Sequence, residues 1–272
     1  MTEHTASDGT MIEFDHVAKR FPDGTEAVRD LHFRIGREEL VAIVGVTGCG
    51  KSTAFNLMLG LMAPSEGTVR VEGRDPHAEF DWFRRRIAVV FQDARLLPWR
   101  TALENVCVGM KFAGMPKTEW EPRARSWLER MGLAGREHAY IHELSGGQRQ
   151  RVSIARAFSV DPDIILCDES FSALDEITAT RLRSEFRELV RENGKTGVVI
   201  THSITEALTV GDRVLVFRAP GHVSEEMRIE GELSPDEMER RRRIILDAMG
   251  PAAQDPEHRA PASPKTPAGA GA

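Results

Sequence analysis

Leu40-Val41-Ala42-Ile43-Val44-Gly45-Val46-Thr47-Gly48-Cys49-Gly50-Lys51-Ser52-Thr53 decides the fold. The apolar run Leu40–Val44 reads as a buried strand, and Lys51–Leu61 reads as a helix. Between them lies G-x-x-x-x-G-K-[ST], in the strand–loop–helix context that this motif requires. Its glycines let the backbone curl so that successive N–H groups point inward at phosphate oxygens. The helix beginning near Gly50 adds its positive end. Lys51 would bring a point charge to the β- and γ-phosphates, and the Ser52 hydroxyl would ligate Mg²⁺. Gly45, Gly48, Cys49, Gly50, Lys51, Ser52 and Thr53 are therefore the candidate phosphate-binding residues.

Outward from this loop, strand-like and helix-like stretches alternate. Short apolar, β-branched runs fall at Met11–Phe14, Leu40–Val44, Ile87–Phe91, Ile164–Cys167, Val198–Thr201 and Arg213–Phe217. Helical patterns cover Thr101–Phe112, Thr118–Met131, Gly147–Phe158, Ile177–Glu192 and Thr205–Val210. Strand followed by helix, repeated, predicts an α/β fold with a mostly parallel sheet. Asp93–Glu143 interrupts the alternation and reads as helical throughout, an inserted helical subdomain. Ser234–Met249 reads as a late amphipathic helix opened by Ser-Pro. The expected organisation is a polar leader over 1–10, a main domain over 11–220, a helical extension over 221–250 and a tail over 251–272. Of the 22 tail residues, 14 are Pro, Ala or Gly and none is Leu, Ile, Val, Met or aromatic, so the tail is expected to be disordered.

Composition narrows the function classes. The chain has 272 residues, 36 Lys plus Arg against 42 Asp plus Glu, and a net charge of −6, which argues against non-specific nucleic-acid binding. No apolar run approaches the roughly 20 residues of a membrane span. Cys49, Cys107 and Cys167 make neither a disulfide framework nor a zinc cluster, and the leader lacks the apolar stretch of a secretory signal; a reducing cytoplasm is the expectation. His138 and His142 stand four apart, but no third metal ligand is close in sequence. Arg84–Arg86 and Arg240–Arg243 read as solvated faces.

Ile164-Ile165-Leu166-Cys167-Asp168-Glu169 is a second strand, ending in two carboxylates. Paired acids at a strand end can cap the next helix. Downstream of a phosphate loop they suit another task, with Asp168 holding Mg²⁺ and Glu169 acting as general base on the attacking water. Leu144-Ser145-Gly146-Gly147-Gln148-Arg149-Gln150-Arg151 then opens a helix with a serine and two glycines, a second anion-binding tip.

This last stretch resembles the signature motif of ATP-binding-cassette (ABC) ATPases. The resemblance implies a P-loop NTPase core with an antiparallel β subdomain and an inserted helical subdomain. It implies a head-to-tail homodimer in which Ser145, Gly146, Gly147 and Gln148 of one chain meet the ATP held by Lys51 of the other. Gln92 resembles the Q-loop glutamine, which senses Mg²⁺ and water. His202 resembles the switch histidine that contacts the γ-phosphate. Ser172-Ala173-Leu174-Asp175 resembles the D-loop, and Phe21 resembles the aromatic that stacks on adenine. Alone, Gln92 would read as a surface residue, His202 as a capping or core histidine and Phe21 as a core aromatic. Ser170, Ser172 and Ser203 depart from the family pattern, where proline, glycine and aspartate are usual.

The implied activity is hydrolysis of Mg-ATP on the cytoplasmic face of the cell membrane, coupled to solute import. The implied partners are integral membrane permease subunits and, indirectly, a solute-binding protein. Leu96, Leu97 and Trp99 cluster apolar groups just after Gln92 and are expected to receive a helix of the permease. The stretch Phe91–Trp99, together with Arg218-Ala219-Pro220-Gly221, is similar to the nitrate/sulfonate/taurine importer branch. The alternative is a soluble cassette ATPase acting on nucleic acid or ribosomes. Only 94 residues separate Lys51 from Ser145, too few for the long coiled coil of chromosome and repair relatives, and one chain carries one cassette.

Overall fold

The computed structural model describes residues 9–171 and 174–251. The leader up to residue 8, Ser172 and Ala173 of the expected D-loop, and the tail from residue 252 lie outside the described residues. Two sheets form the frame. The first is antiparallel and pairs β1 (Thr10–Arg20) with β2 (Glu26–Gly36) on one side and β4 (Glu66–Val71) on the other. The second contains β3 (Leu40–Gly45), β5 (Ile87–Phe91), β6 (Ile164–Asp168), β7 (Thr196–Thr201), β8 (Arg213–Arg218) and β9 (His222–Arg228), in the order β5-β6-β7-β3-β8-β9. All its neighbours pair in parallel except β8 and β9.

Burial follows from this arrangement. All residues of β3 and β7 are buried, as expected of parallel strands covered on both faces. β2 instead alternates, with Leu31, Phe33 and Ile35 inward and His32 and Arg34 outward, the mark of a sheet wet on one side. β2, β4 and β9 escape a search for apolar runs because half of each strand is polar. Bulges add to the difficulty: Asp15 and His16 both face solvent between buried Phe14 and Val17, and His16 takes a φ of 48°. Residues 221–250, expected to be a helical extension, begin with the antiparallel strand β9 before helix α8 (Pro235–Met249).

The remaining helices are α1 (Lys51–Met58), α2 (Phe80–Phe83), α3 (Ala102–Phe112), α4 (Lys117–Arg130), α5 (Gly146–Ser159), α6 (Glu176–Glu192) and α7 (Ile204–Val210). Side chains set several starts: Thr101, Ser145, Asp175, Ser203 and Ser234 each accept the N–H three residues on. An aromatic ladder joins α4, α5 and α6, with Trp127 5.2 Å from Phe158 and Phe158 6.2 Å from Phe186. On the opposite side, Phe14 stacks on Phe33 at 4.6 Å beneath α1.

Within 93–143 the helices are α3 and α4, plus one 3-10 turn at Ile141–Glu143. The expectation of helix throughout fails at 131–140 and at 93–100, an irregular loop. Asn105 of α3 holds it: the fully buried amide donates to the carbonyls of Leu97, Arg100 and Thr101 and accepts the N–H of Leu97 at 2.7 Å. Nor are all of Arg84–Arg86 merely solvated. Arg86 lies 3.9 Å over the Trp82 ring and pairs with Glu72 at 3.2 Å and Asp163 at 2.9 Å. Among the described residues no helix is long and apolar enough to cross a membrane.

Candidate active site

Because β3, β5, β6 and β7 run parallel, the loops that follow them emerge at one end of the sheet, where open α/β sheets bind ligands. β7 separates β3 from β6, so the loop at Gly45 and the acids at Asp168 flank His202.

The phosphate loop is built by close backbone approach. Gly50, with φ of 104°, sits where a Cβ would fall 2.5 Å from the Ala27 carbonyl oxygen and 2.8 Å from Gly221 Cα. Three chain segments therefore meet at Gly50, and the Arg29 N–H donates to the Gly221 carbonyl at 3.3 Å to hold two of them. No side chain caps α1, which leaves its first N–H groups open to the loop. Lys51 is only 6% exposed; its Nζ donates to the carbonyls of Gly45 at 2.7 Å and Val46 at 3.0 Å. Cys49 is buried, and burial pushes its thiol pKa up. Ala27, Thr47, Gly48, Gly50, Lys51, Ser52, Thr53 and Glu169 line a cavity of about 160 Å³. Neither Ala27 nor Gly221 belongs to the phosphate-loop motif; both reach it by proximity in space.

Asp168 and Glu169 differ in environment. Burial, then the neighbouring Glu169 charge, raises the Asp168 pKa, and its carboxylate makes no ion pair among the described residues. Glu169 accepts from His202, with Nδ1 3.1 Å from Oε1. That hydrogen bond holds Glu169 below the ordinary carboxylate value and raises His202 above the ordinary imidazole value. Glu169 also takes a φ of 46°, unusual for a non-glycine residue, while its N–H donates to the Ile200 carbonyl at 2.8 Å. Such a conformation costs on the order of 1–3 kcal/mol and gathers at functional sites. The next residue, Ser170, donates from Oγ to the Val90 carbonyl at 2.7 Å and so ties the turn to β5. Behind His202, Thr201 Oγ1 donates to the buried Glu206 at 2.9 Å.

The other expected residues lie elsewhere. Gln92 lines a second cavity, of about 370 Å³, with Ala94, Gly146, Gln150, Ser170 and Leu174. Ser145 and Gln148 satisfy each other across the first turn of α5, at 2.9 and 3.3 Å. A Cβ on Gly147 would meet Thr178 Cγ2 at 2.9 Å, so the α5 tip lies against the first turn of α6, which Asp175 caps. Neither Ser145–Gln148 nor Asp175 lines the phosphate cavity, and Phe21 stands outside it with Lys19 Nζ 5.8 Å from its ring. His138 and His142 share no helix. The grouped metal-ligand atoms among the described residues belong instead to exposed Asp15, His16 and His32, where His16 is already bound to Asp30 at 2.6 Å.

The family model for ABC transporters matches residues 28–172. The taurine import ATP-binding protein TauB of Yersinia pestis bv. Antiqua is 40% identical over 210 residues, 76% of this chain and 80% of that protein. The Fe(3+) ions import ATP-binding protein FbpC of Brucella melitensis is 39% identical over 77% of this chain and 59% of its own length. The dimeric post-hydrolysis structure of the ATP-binding cassette MJ0796, bound to ADP and Pi, superposes with a TM-score of 0.71 at 34% identity, covering 82% of this chain and 100% of that one. At these identities, and over this much of the chain, the relationship is one of membership: the protein belongs to the ABC transporter family as one of its ATP-binding, ATP-hydrolysing subunits.

Proposed function

We propose that this subunit drives import of a small solute through a separate permease, working as a head-to-tail pair that closes on two ATP molecules. One observation carries the reading. The phosphate cavity gathers Lys51, Ser52 and Glu169 but excludes the serine-led tip of α5, an anion-binding helix end that faces another part of the surface. A second copy supplies that tip. The dimeric cassette bound to ADP and Pi is a relative in which two chains associate.

In this reading Lys51 leaves the Gly45 and Val46 carbonyls for phosphate oxygens, and the loop N–H groups take the rest of the charge. Asp168, Ser52 and Gln92 offer only oxygen and amide donors, and Asp168 is a half-buried acid that makes no ion pair among the described residues, with Arg95 and Lys51 the nearby cations acting on it. That set fits Mg²⁺. Bound there, Mg²⁺ would neutralise charge on the triphosphate. Glu169, kept ionised by His202, accepts the proton of the attacking water. His202, its pKa raised, donates toward the γ-phosphate. Phe21 would stack on adenine, and Asp175 would face the partner chain.

The permease would meet the loop after Gln92. Trp99 is 70% exposed on a backbone pinned by Asn105, an apolar contact that is already ordered. The protein would thus sit peripherally at the cytoplasmic face of the membrane, beside the permease and its solute-binding protein. Cargo of the nitrate, sulfonate or taurine kind fits the Phe91–Trp99 stretch and the TauB relative, although FbpC, named for a different cargo, is nearly as similar.

The decisive experiment is light scattering of Glu169→Gln with and without Mg-ATP. The expected result is a nucleotide-dependent dimer with turnover lowered by orders of magnitude. A variant that stays monomeric at saturating ATP, or hydrolyses as fast as wild type, overturns the two-chain site. Reconstitution with the permease, scored for the solute that stimulates hydrolysis, tests the cargo.

A further inference from the structure

Arg156 lies in the last turn of α5, and burial alone lowers its pKa. Among the described residues no carboxylate comes within ion-pair distance of it. Its guanidinium instead donates to two main-chain carbonyls, Arg95 at 2.9 Å from Nη1 and Ala94 at 2.8 Å from Nη2. A partly buried cation without a counter-ion is costly to keep. Two turns earlier on the same helix, fully buried Gln150 donates from Nε2 to the Phe91 carbonyl at 3.1 Å. The Gln92 loop is thus fastened to α5 at both ends. Arg95 closes it on itself, its guanidinium 3.8 Å over the Phe91 ring.

What comes next in the chain is held the same way, by Asn105 of α3 at Leu97 and Arg100. α3 and α5 pack tightly where Gly109 meets Arg156: a Cβ there would lie 3.0 Å from Arg156 Cγ. Once the chain leaves β5, residues 92–100 therefore belong mechanically to the helices. α5 is also the helix whose first turn carries Ser145 and Gly147.

We propose that Arg156 and Gln150 are positioning residues that lock the Gln92 loop to the signature helix, so that Gln92 and the Ser145 tip move as one body. Any shift of α5 that brings Ser145 to a partner's triphosphate then carries Gln92 with it. The Arg156 fork, which bridges the successive carbonyls of Ala94 and Arg95, resists rotation of the loop, which a single donor does not. The inference rests on the reading above only in that Gln92 acts at the reacting centre.

Two measurements on the full chain test it. The first is hydrogen exchange of amides 92–96 in Arg156→Lys, which keeps the charge but loses the fork, and in Gln150→Leu, which removes one bond at similar volume. Exchange there should rise about tenfold or more, as expected of a local opening, with β6 amides unchanged. Unchanged exchange at 92–96 in both variants overturns the lock. The second is a double-mutant cycle on ATP turnover. Arg156→Lys should lower kcat about fivefold with KM within about twofold, and should add nothing in a Gln92→Ala background. An equal loss in both backgrounds would mean that Arg156 acts by general stability and would overturn the positioning role. If Gln92→Ala alone leaves kcat unchanged, the role assigned to Gln92 fails, and the exchange data still decide whether the lock exists.

Discussion

Gly50→Ala should disable nucleotide binding through a backbone collision that no side-chain adjustment relieves. Two costs arise at this position. A φ of 104° disfavours any L side chain, at about 1–2 kcal/mol. The new Cβ would also fall 2.5 Å from the Ala27 carbonyl oxygen, where ordinary contact begins at 3.4 Å. The loop must therefore move away from β2 by about 0.9 Å, and overpacking of this kind costs about 1–3 kcal/mol. Gly48 separates the two costs: its φ is 82°, yet a Cβ added there would meet nothing within 4 Å. Gly48→Ala should thus lose about tenfold in ATP affinity, and Gly50→Ala about a hundredfold or more. Gly221→Ala supplies a stricter test, because Gly221 is outside the motif and its Cβ would strike the same Ala27 oxygen at 2.5 Å. It should weaken ATP binding about as much as Gly48→Ala does. Calorimetric titration of each variant with ATP, beside its thermal midpoint, gives the readout. Equal affinities for Gly48→Ala and Gly50→Ala, or wild-type affinity in Gly221→Ala, would refute a loop shaped by its contact with Ala27.

Further tests address the acids, the switch and the loop. The His202–Glu169 pair contributes to stability fully only above the ordinary Glu value of 4.5 and below the ordinary His value of 6.5. Its contribution fades as pH rises through the raised His202 pKa, and as pH falls through the lowered Glu169 pKa. His202 is 53% exposed, so the effect stays near 0.2–1 kcal/mol. The difference in thermal midpoint between wild type and His202→Gln should therefore peak near pH 5–6; a difference flat from acid to alkaline pH removes the pair. Ser170→Ala loses a buried hydrogen bond to Val90 and should lower the midpoint by about 2–4 °C, and no change would mean that the turn after Glu169 is held by other contacts. Asn105→Leu should lower it by more, about 4 °C or above, and with Trp99→Ala should reduce co-purification with the permease. If Asn105→Leu leaves co-purification intact, the pinned loop is not the docking surface.

Legibility in the sequence tracked the range of the forces involved. The phosphate loop is local: a buried strand, glycines and a helix start sit within fourteen residues, Leu40–Thr53, and each element is dictated by its neighbours. Helix starts were equally plain, since Thr101, Ser145 and Ser234 cap the helices they precede. β2, β4 and β9 stayed hidden because strands that cover one face spread few apolar residues between charges; in β1 the bulge at His16 breaks the alternation after Phe14. The loop at 93–100 looked helical because Ala94, Leu96 and Leu97 are apolar; Pro98 and the carbonyls claimed by Arg156 and Asn105 keep it out of a helix.

By itself the sequence marked the candidate chemistry: an expected phosphate cradle at Gly45–Thr53, paired acids at Asp168 and Glu169, and a serine-led helix tip at Ser145, each encoded by contiguous residues. Only the tertiary structure decided what surrounds them. It set Ala27 and Gly221 against Gly50, joined His202 to Glu169, and gave the Gln92 loop to α5. These contacts link residues far apart in the chain, and they follow from how two sheets and a helical layer pack rather than from any local preference.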